Sequence, residues 1–267
     1  MVFSFVGPIQ DKWDRVGDLL KSIDKTFKLF EYEIILVDDF STSDERRKAF
    51  QYLSKYEKLR VIYNVKHQGI EASMNNAVLQ AKGSIIIPVD ADLRFVWPLY
   101  FLYLHMLFKF RPEVSFCFMK SKCIDSQTSE TLGIVGWAPK SGLQQGENLL
   151  KDVIEKRIHV AGGATSYKRK WFIKNGGYQK EFGPAADFYI NQKAVLQKKA
   201  WYLGKVATIN LVDKKSETSK YSYQKYIQIS KRILLRWANM KSVNQSKMTV
   251  FLQHQKKEIK RNVNSKL

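Results

Sequence analysis

Cysteine is nearly missing from this 267-residue chain: Cys117 and Cys123, six positions apart, are all it has. That spacing is neither a C-x-x-C redox pair nor half of a zinc site, so two reduced thiols in a cytoplasmic protein are the plain reading. Histidine is almost as scarce. His67, His105, His159 and His254 share no ligand spacing, which argues against a histidine-built metal site. Neither a Walker loop nor a G-x-G-x-x-G run occurs. No long hydrophobic run occurs either. The longest uncharged apolar stretch, Phe95 to Phe108, has 14 residues and includes Pro98 and His105. It falls short of the ~20 residues that span a bilayer and suits a buried or interfacial helix better. Met1 to Ile9 is apolar but has no basic start and no small-residue cleavage site, so it does not read as a leader.

What is abundant is apolar residues, at 45% with 13% aromatic, and positive charge, at a net +20. The first is enough for a sizeable core and excludes a disordered chain. The second is unevenly spread. Asp213 to Leu267 holds 14 Lys or Arg against three acids, a net of +11. A polyanionic partner is one reading of this tail: anionic lipid, phosphorylated glycan or nucleic acid. A solvated helical face is the other. The shift in composition places a boundary near Asp213, between a domain of residues 1–212 and a basic helical extension of 213–267.

Residues 1–93 read as alternating strands and helices. Val2 to Val6 is a strand ended by a Gly7-Pro8 turn. Val16, Leu19, Leu20, Ile23 and Phe27 form one helical face. Ile34 to Val37 is a second strand, and Thr42 with Glu45 reads as a capping box opening a helix. Arg60 to Tyr63 is a third strand. Ile70, Met74, Ala77, Val78 and Ala81 make another helical stripe, with Gly83 as its stop. Ser84 to Val89 is a fourth strand. The order implies an α/β fold, Rossmann-like, with a mostly parallel sheet and helices on both faces. Ligands of such sheets bind beyond the carboxyl ends of the strands. Asp38-Asp39 and Asp90-Ala91-Asp92 both fall there, which predicts one cleft holding several carboxylates.

Residues 94–212 are less regular. Tyr100 to Phe110 reads as a helix apolar nearly all round, and Val114 to Met119 as a strand. Gly133 to Gly146 reads as loop, and Asn148 to Ile158 as helix. Another helix begins around Phe188, just after Asp187. Tyr221 to Met240 reads as a longer amphipathic helix. Its apolar stripe is Ile229, Ile233, Trp237 and Met240, beside a basic strip of Lys225, Arg232 and Arg236. Such a helix is suited to an anionic membrane surface.

Two carboxylates on alternate residues, as in Asp90-Ala91-Asp92, can approach one divalent ion and the diphosphate it bridges. Their position directly after Ile85-Ile86-Ile87-Pro88-Val89 strengthens that reading over a turn-forming role. With this motif in place, the run Glu33 to Thr42 resembles the second-strand signature of family 2 glycosyltransferases. Gly69, Asn75, Ala77 and Ala81-Lys82-Gly83 resemble the segment before that family's D-x-D. Gly162-Gly163-Ala164, Tyr167-Lys168-Arg169, Trp171-Phe172 and Gly176-Gly177-Tyr178 resemble its acceptor-side half.

The resemblance implies a GT-A fold and inverting transfer of sugar from a nucleotide-sugar, most simply a UDP-sugar, to a glycan or lipid-linked acceptor. It implies Asp39 as acceptor from the donor's base, Pro8 as lining of the base pocket and Asp90 near ribose and metal. It further implies Asp92 as ligand of a Mg²⁺ or Mn²⁺ ion on the diphosphate, and Asp187 as general base. Three positions depart from the pattern: Ala186 stands where Glu usually precedes the base, Met74 where a basic residue often precedes the helix Asn, and Ile233 where processive synthases carry Gln. The last points to transfer of a single sugar. A polyprenyl phosphate is an alternative acceptor, with the enzyme peripheral on the cytoplasmic face of the membrane. A non-catalytic basic nucleic-acid binder is the rival of another class; no nucleic-acid motif supports it.

Overall fold

The computed structural model describes residues 3–27, 30–146, 148–155, 157–160 and 163–213, together with 229, 232, 233, 236 and 237. Its first half follows the alternation seen in the sequence. The elements are β1 (Phe3–Ile9), α1 (Trp13–Phe27), β2 (Tyr32–Asp38), α2 (Ser43–Leu53), β3 (Leu59–Tyr63), α3 (Ile70–Gln80) and β4 (Ile85–Pro88). Then come β5 (Leu93–Phe95), α4 (Tyr100–Phe110), β6 (Phe116–Asp125), β7 (Thr131–Val135), β8 (Gly142–Leu143), α5 (Leu149–Ile154), β9 (Thr165–Lys168) and α6 (Arg169–Lys174). A 3₁₀ segment, Lys180–Ala185, leads into α7 (Ala186–Leu196), and β10 (Ala200–Val212) closes the sheet.

One sheet runs in the order β3-β2-β1-β4-β9-β6-β10-β5, with β7 on β6 and β8 on β10. The expected parallel pairing holds from β3 through β4. Beyond β4 the sheet is mixed, because β9 inserts antiparallel between β4 and β6, and β6 then pairs parallel with β10. Side chains alternate between two cores, as a strand period of two requires. Phe3, Phe5, Ile34, Leu36, Ile85 and Ile87 face α1 and α4, where Val16, Leu19, Leu20 and Ile23 are fully buried. Val6, Ile35, Val37 and Ile86 face the other way, onto α3 and α7. Both faces of the sheet are therefore covered.

Several local expectations are corrected. β1 does not stop at Gly7-Pro8 but runs to Ile9. Val6 O accepts from Val89 N on the β4 side, and Ile9 O from Asp39 N on the β2 side. Neighbours alternate along a strand, so Pro8, like Val6, faces β4, whose pairing has already ended at Val6–Pro88. The missing proline N–H is on an unpaired side and costs no ladder bond. Gly7 is needed there for another reason: a Cβ on it would come 1.8 Å from Val89 O. α2 begins where expected, but Thr42 forms no side-chain cap. Glu45 is instead drawn to the backbone N–H of Trp13 at 2.9 Å, tying α2 to α1. α3 ends at Ala81 in an extended conformation, before Gly83 is reached. The stretch 133–146, read as loop, holds part of β7 and all of β8, and α5 is shorter than expected.

α4 matches its expected span. It buries Tyr100, Phe101, Leu104, Leu107 and Phe108 and leaves Leu102, Met106 and Phe110 exposed, with Leu99 just before it. No helix among the described residues is long and apolar enough to cross a membrane. The tail stripe is used differently from the sequence expectation. Ile229, Ile233 and Trp237 are buried in the core that holds α7, and Trp237 packs on Phe188 with ring centroids 6.1 Å apart. That apolar face serves the domain's own packing instead of a membrane. Arg232 and Arg236 remain exposed, and Arg236 pairs with Glu181 at 3.1 Å. Lys225, Met240 and the rest of the extension lie outside the described residues, as does Gly162.

Candidate functional site

The carboxyl ends of β1, β2 and β4 bring Pro8, Asp39 and Asp90 to one edge of the sheet. Pro8 sits half-buried at the end of β1, opposite Val37. Asp38 and Asp39 then divide the work that sequence left shared. Asp38 is fully buried and receives Trp13 Nε1 at 2.7 Å, Ser41 N at 3.1 Å and Arg46 Nε at 2.9 Å. It fastens α1 and α2 to the sheet. Asp39 points towards the loop between β3 and α3. One oxygen accepts from Asn64 Nδ2 and Gln68 N, both at 2.8 Å. The other accepts from Gly69 N at 2.8 Å and faces His67 Nδ1 at 3.0 Å. Burial raises the pKa of this carboxyl, but the amides of Gln68, Asn64 and Gly69 together with His67 outweigh it and leave it below the ordinary value. Three amides hold Asp39, and His67, 57% exposed, is the neighbour with room to move.

Asp90 and Asp92 also differ in their surroundings. One Asp90 oxygen accepts from Asp92 N at 2.9 Å, and the carboxylate remains open to solvent. Crowding by the cleft walls strips enough water to raise its pKa. The charge of Asp92 raises it further, against the Asp92 amide, Lys12 and Arg94. Asp92, by contrast, is 8% exposed and doubly ion-paired. Lys12 Nζ lies 2.5 Å from one oxygen and Arg15 NH1 2.5 Å from the other. Arg15 also reaches Asp213 at 3.3 Å, and its pKa is raised by the hydrogen bond to Asp92.

A divalent ion fits this donor set conditionally. Mg²⁺ needs only one or two carboxylates beside substrate phosphates and water. Asp90 offers an open oxygen, whereas both oxygens of Asp92 are paired with cations. Among the described residues there is no group of three or more His, Cys, Asp or Glu able to hold a metal alone.

Asp187 lies in the first turn of α7, half-buried, with one oxygen accepting from Phe188 N at 2.6 Å. Ala186 beside it is buried at 2% exposure. The link between Asp187 and the D-x-D is Tyr178. Its phenol is buried and held protonated chiefly by desolvation, then by Tyr167, Asp187 and Asp90. The charges of Asp187 and Asp90 therefore both reach one hydroxyl, across a gap of nearly a hundred residues in sequence. Tyr178 is held from behind by Asn75 on α3. Asn75 Nδ2 donates to Tyr178 O at 2.7 Å, and Tyr178 N donates to Asn75 Oδ1 at 3.0 Å. Gly177 has φ +57°, and a Cβ there would meet Asn75 Oδ1 at 2.3 Å, so this close approach demands glycine. Met74, where the family often has a basic residue, is buried in the core.

Lys12, Arg15, Tyr178 and the Asn75 clasp were not singled out from sequence as site residues. Only Asn75 and Gly177-Tyr178 carried a signal, as parts of the family-like pattern, without a role attached.

The comparisons agree with this geometry. Residues 4–96 match the family model described as Glycosyl transferase family 2. The chain is 38% identical over 94 residues to a poly(ribitol-phosphate) β-glucosyltransferase of Bacillus spizizenii, covering 34% of this chain and 15% of that one. It is 35% identical over 81 residues to a human dolichyl-phosphate β-glucosyltransferase, covering 30% of this chain and 25% of that one. The match thus spans a quarter or less of each of these relatives. The structure of S. aureus TarS residues 1–349 in complex with UDP-GlcNAc superposes with a TM-score of 0.71 at 18% identity, covering 94% of this chain and 70% of that one. The match to its complex with UDP has a TM-score of 0.68 at 19% identity, with the same coverage. The nucleotide-side motifs, their place at the sheet's carboxyl edge and this shared architecture agree: residues 4–96 are those of a family 2 glycosyltransferase segment, and the chain has the GT-A fold of the structures it superposes on.

Proposed function

We propose that the protein moves a single sugar, with inversion, from a nucleotide-sugar, most simply a UDP-sugar, to a hydroxyl or phosphate of a glycan or lipid-linked acceptor. The observation that carries this is the gathering of Pro8, Asp39 and Asp90 at the carboxyl edge of β1, β2 and β4, within the stretch of residues 4–96 that matches the family model. Asp187, in the first turn of α7, is the candidate base.

In this reading Pro8 and Asp39 receive the base, and His67 gives way as the base N–H takes its place on Asp39. Asp187 accepts the proton of the acceptor hydroxyl as that oxygen attacks the anomeric carbon. The bond to the nucleoside diphosphate breaks on the opposite face, and the diphosphate leaves with the electron pair. A positioned carboxylate typically contributes ~10²–10⁴-fold to such a step. Asp90 and Asp92 would hold a Mg²⁺ or Mn²⁺ ion, whose charge would offset that of the leaving diphosphate. Tyr178, kept neutral, supplies a polar wall that does not compete for the proton.

A lipid-linked acceptor is supported by the likeness to a dolichyl-phosphate β-glucosyltransferase and by the exposed apolar stripe of α4, which offers a surface for peripheral contact with a membrane on its cytoplasmic side. The test begins with UDP- and GDP-sugars screened for Mn²⁺-dependent binding and slow hydrolysis, and continues with Asp187→Asn. The structure makes Ala185 and not Asp187 the cap of α7; Asn keeps an oxygen for the bond from Phe188 N but cannot take the proton. The variant is expected to keep its melting temperature and donor affinity and to lose at least ~10²-fold in turnover. Near-parental turnover would leave Asp187 with a local structural role only.

A further inference from the structure

We propose that Lys12 is a diphosphate-binding residue that occupies Asp92 in the free enzyme and transfers its ammonium to the donor's phosphates when nucleotide and metal bind. The inference rests on the nucleotide-sugar reading above and adds a role and an order of events to it.

Asp92 is the acid that the family pattern assigns to the metal, yet both its oxygens already carry a cation. The two cations are not equivalent. Arg15 is anchored: its guanidinium also reaches Asp213 at 3.3 Å, and its carbonyl oxygen accepts from Arg94 NH2 at 3.2 Å. Lys12 stands just before α1, is 38% exposed and has Asp92 as its partner at 2.5 Å. A lysine ammonium is a point charge on a flexible stem with three rotatable donors, so it can change partners without a backbone movement. Asp90 accepts from the amide of Asp92 at 2.9 Å, so Lys12, on an Asp92 oxygen, stands beside the pair of carboxylates that the reading above assigns to the ion.

The consequence follows from charge. With Lys12 in place, the two acids are balanced by Lys12 and Arg15, and a free dication meets a locally neutral site with one open carboxylate. An arriving diphosphate alters this. Its oxygens attract Lys12, and as the ammonium leaves, Asp92 regains an oxygen for the ion that accompanies the diphosphate. Metal alone should bind weakly, and metal with nucleotide strongly. Removing Lys12 should separate the two effects: the free metal gains a ligand, and the nucleotide loses a contact.

The experiment uses the full chain as wild type, Lys12→Gln and Lys12→Arg. Mn²⁺ binding without nucleotide is followed by the loss of the free-ion electron paramagnetic resonance signal, and UDP binding in saturating Mn²⁺ by calorimetry. A change in the groups around a metal ligand commonly alters metal affinity 10–100-fold. Lys12→Gln is therefore expected to bind Mn²⁺ alone about tenfold tighter and UDP with Mn²⁺ about tenfold weaker. Lys12→Arg, which keeps Asp92 paired, should show no gain for Mn²⁺ alone. Melting temperatures of the three proteins establish that folding is not the cause. Equal Mn²⁺ affinity of wild type and Lys12→Gln without nucleotide would overturn the inference, as would unchanged UDP affinity. A wild type that binds no UDP with Mn²⁺ present would remove the nucleotide-sugar reading itself, an outcome distinct from both.

Discussion

Replacing Asn75 by Ala should be among the more damaging single changes that touch neither donor nor acceptor. The side chain makes two hydrogen bonds to one residue, donating to Tyr178 O at 2.7 Å and accepting from Tyr178 N at 3.0 Å. Each such bond contributes about 1 kcal/mol net, and a partner left without water adds to the loss. Ala cannot supply either bond, and the left-handed turn at Gly177 brings Tyr178 close to α3, leaving little room for water to replace them. The expected cost is about 2–3 kcal/mol. In a domain of this size each kcal/mol shifts the melting temperature by about 2–4 °C, so a fall of about 4–12 °C is expected by circular dichroism or calorimetry. Asn75→Asp sharpens the test. It keeps the acceptor for Tyr178 N but turns a charged oxygen towards Tyr178 O, so it should be at least as destabilising as Ala. A melting temperature within about 1 °C of the parent for Asn75→Ala would refute the clasp, since the lost bonds alone predict more.

Asp90→Asn is expected to raise stability at neutral pH while abolishing Mn²⁺-dependent nucleotide binding. Asp90 holds its proton more tightly when folded, so its ionised form weighs against folding once pH rises through the folded pKa. Asn keeps the bond from Asp92 N and removes that charge; the gain should fade below about pH 4, where parent and variant are both neutral at this position. A pH-independent difference in melting temperature would contradict this cause. Trp237→Ala should cost about 3 kcal/mol or more, as for other large aromatic deletions in a core, because the ring is 2% exposed and packs on Phe188. Chemical denaturation measures it, and a change below about 0.5 kcal/mol would show that the tail is not part of the domain's core.

Much of the fold was legible in local pattern. The stripe of Val16, Leu19, Leu20 and Ile23 needs only a helical period to declare a buried face, and the structure buries it fully. The apolar runs before Asp39 and Asp90 needed only the strand-helix alternation to put both acids at a carboxyl edge. The motifs that mark the family are of the same kind: short, contiguous and tied to one turn.

Other features depend on partners far along the chain, and there local pattern could not choose. Pro8 reads as a strand breaker until the position where β4 stops pairing is known. Thr42 and Glu45 have capping-box spacing, yet Glu45 finds the amide of Trp13 across the fold. The stripe of Ile229, Ile233 and Trp237 has the same amphipathic period whether it meets lipid or protein, and α7 decides it. Asp92 is an acid in a D-x-D by sequence, but Lys12 and Arg15 arrive from the turn after β1 and the start of α1 to pair with it. Periodicity records which side of an element avoids water, and spacing records which groups share a turn. Neither contains the distance between two loops that meet only when the sheet is assembled. Residue order determined the elements, the edge and the family resemblance of this protein. Only the tertiary structure decided which of its carboxylates is open, which are held, and by what.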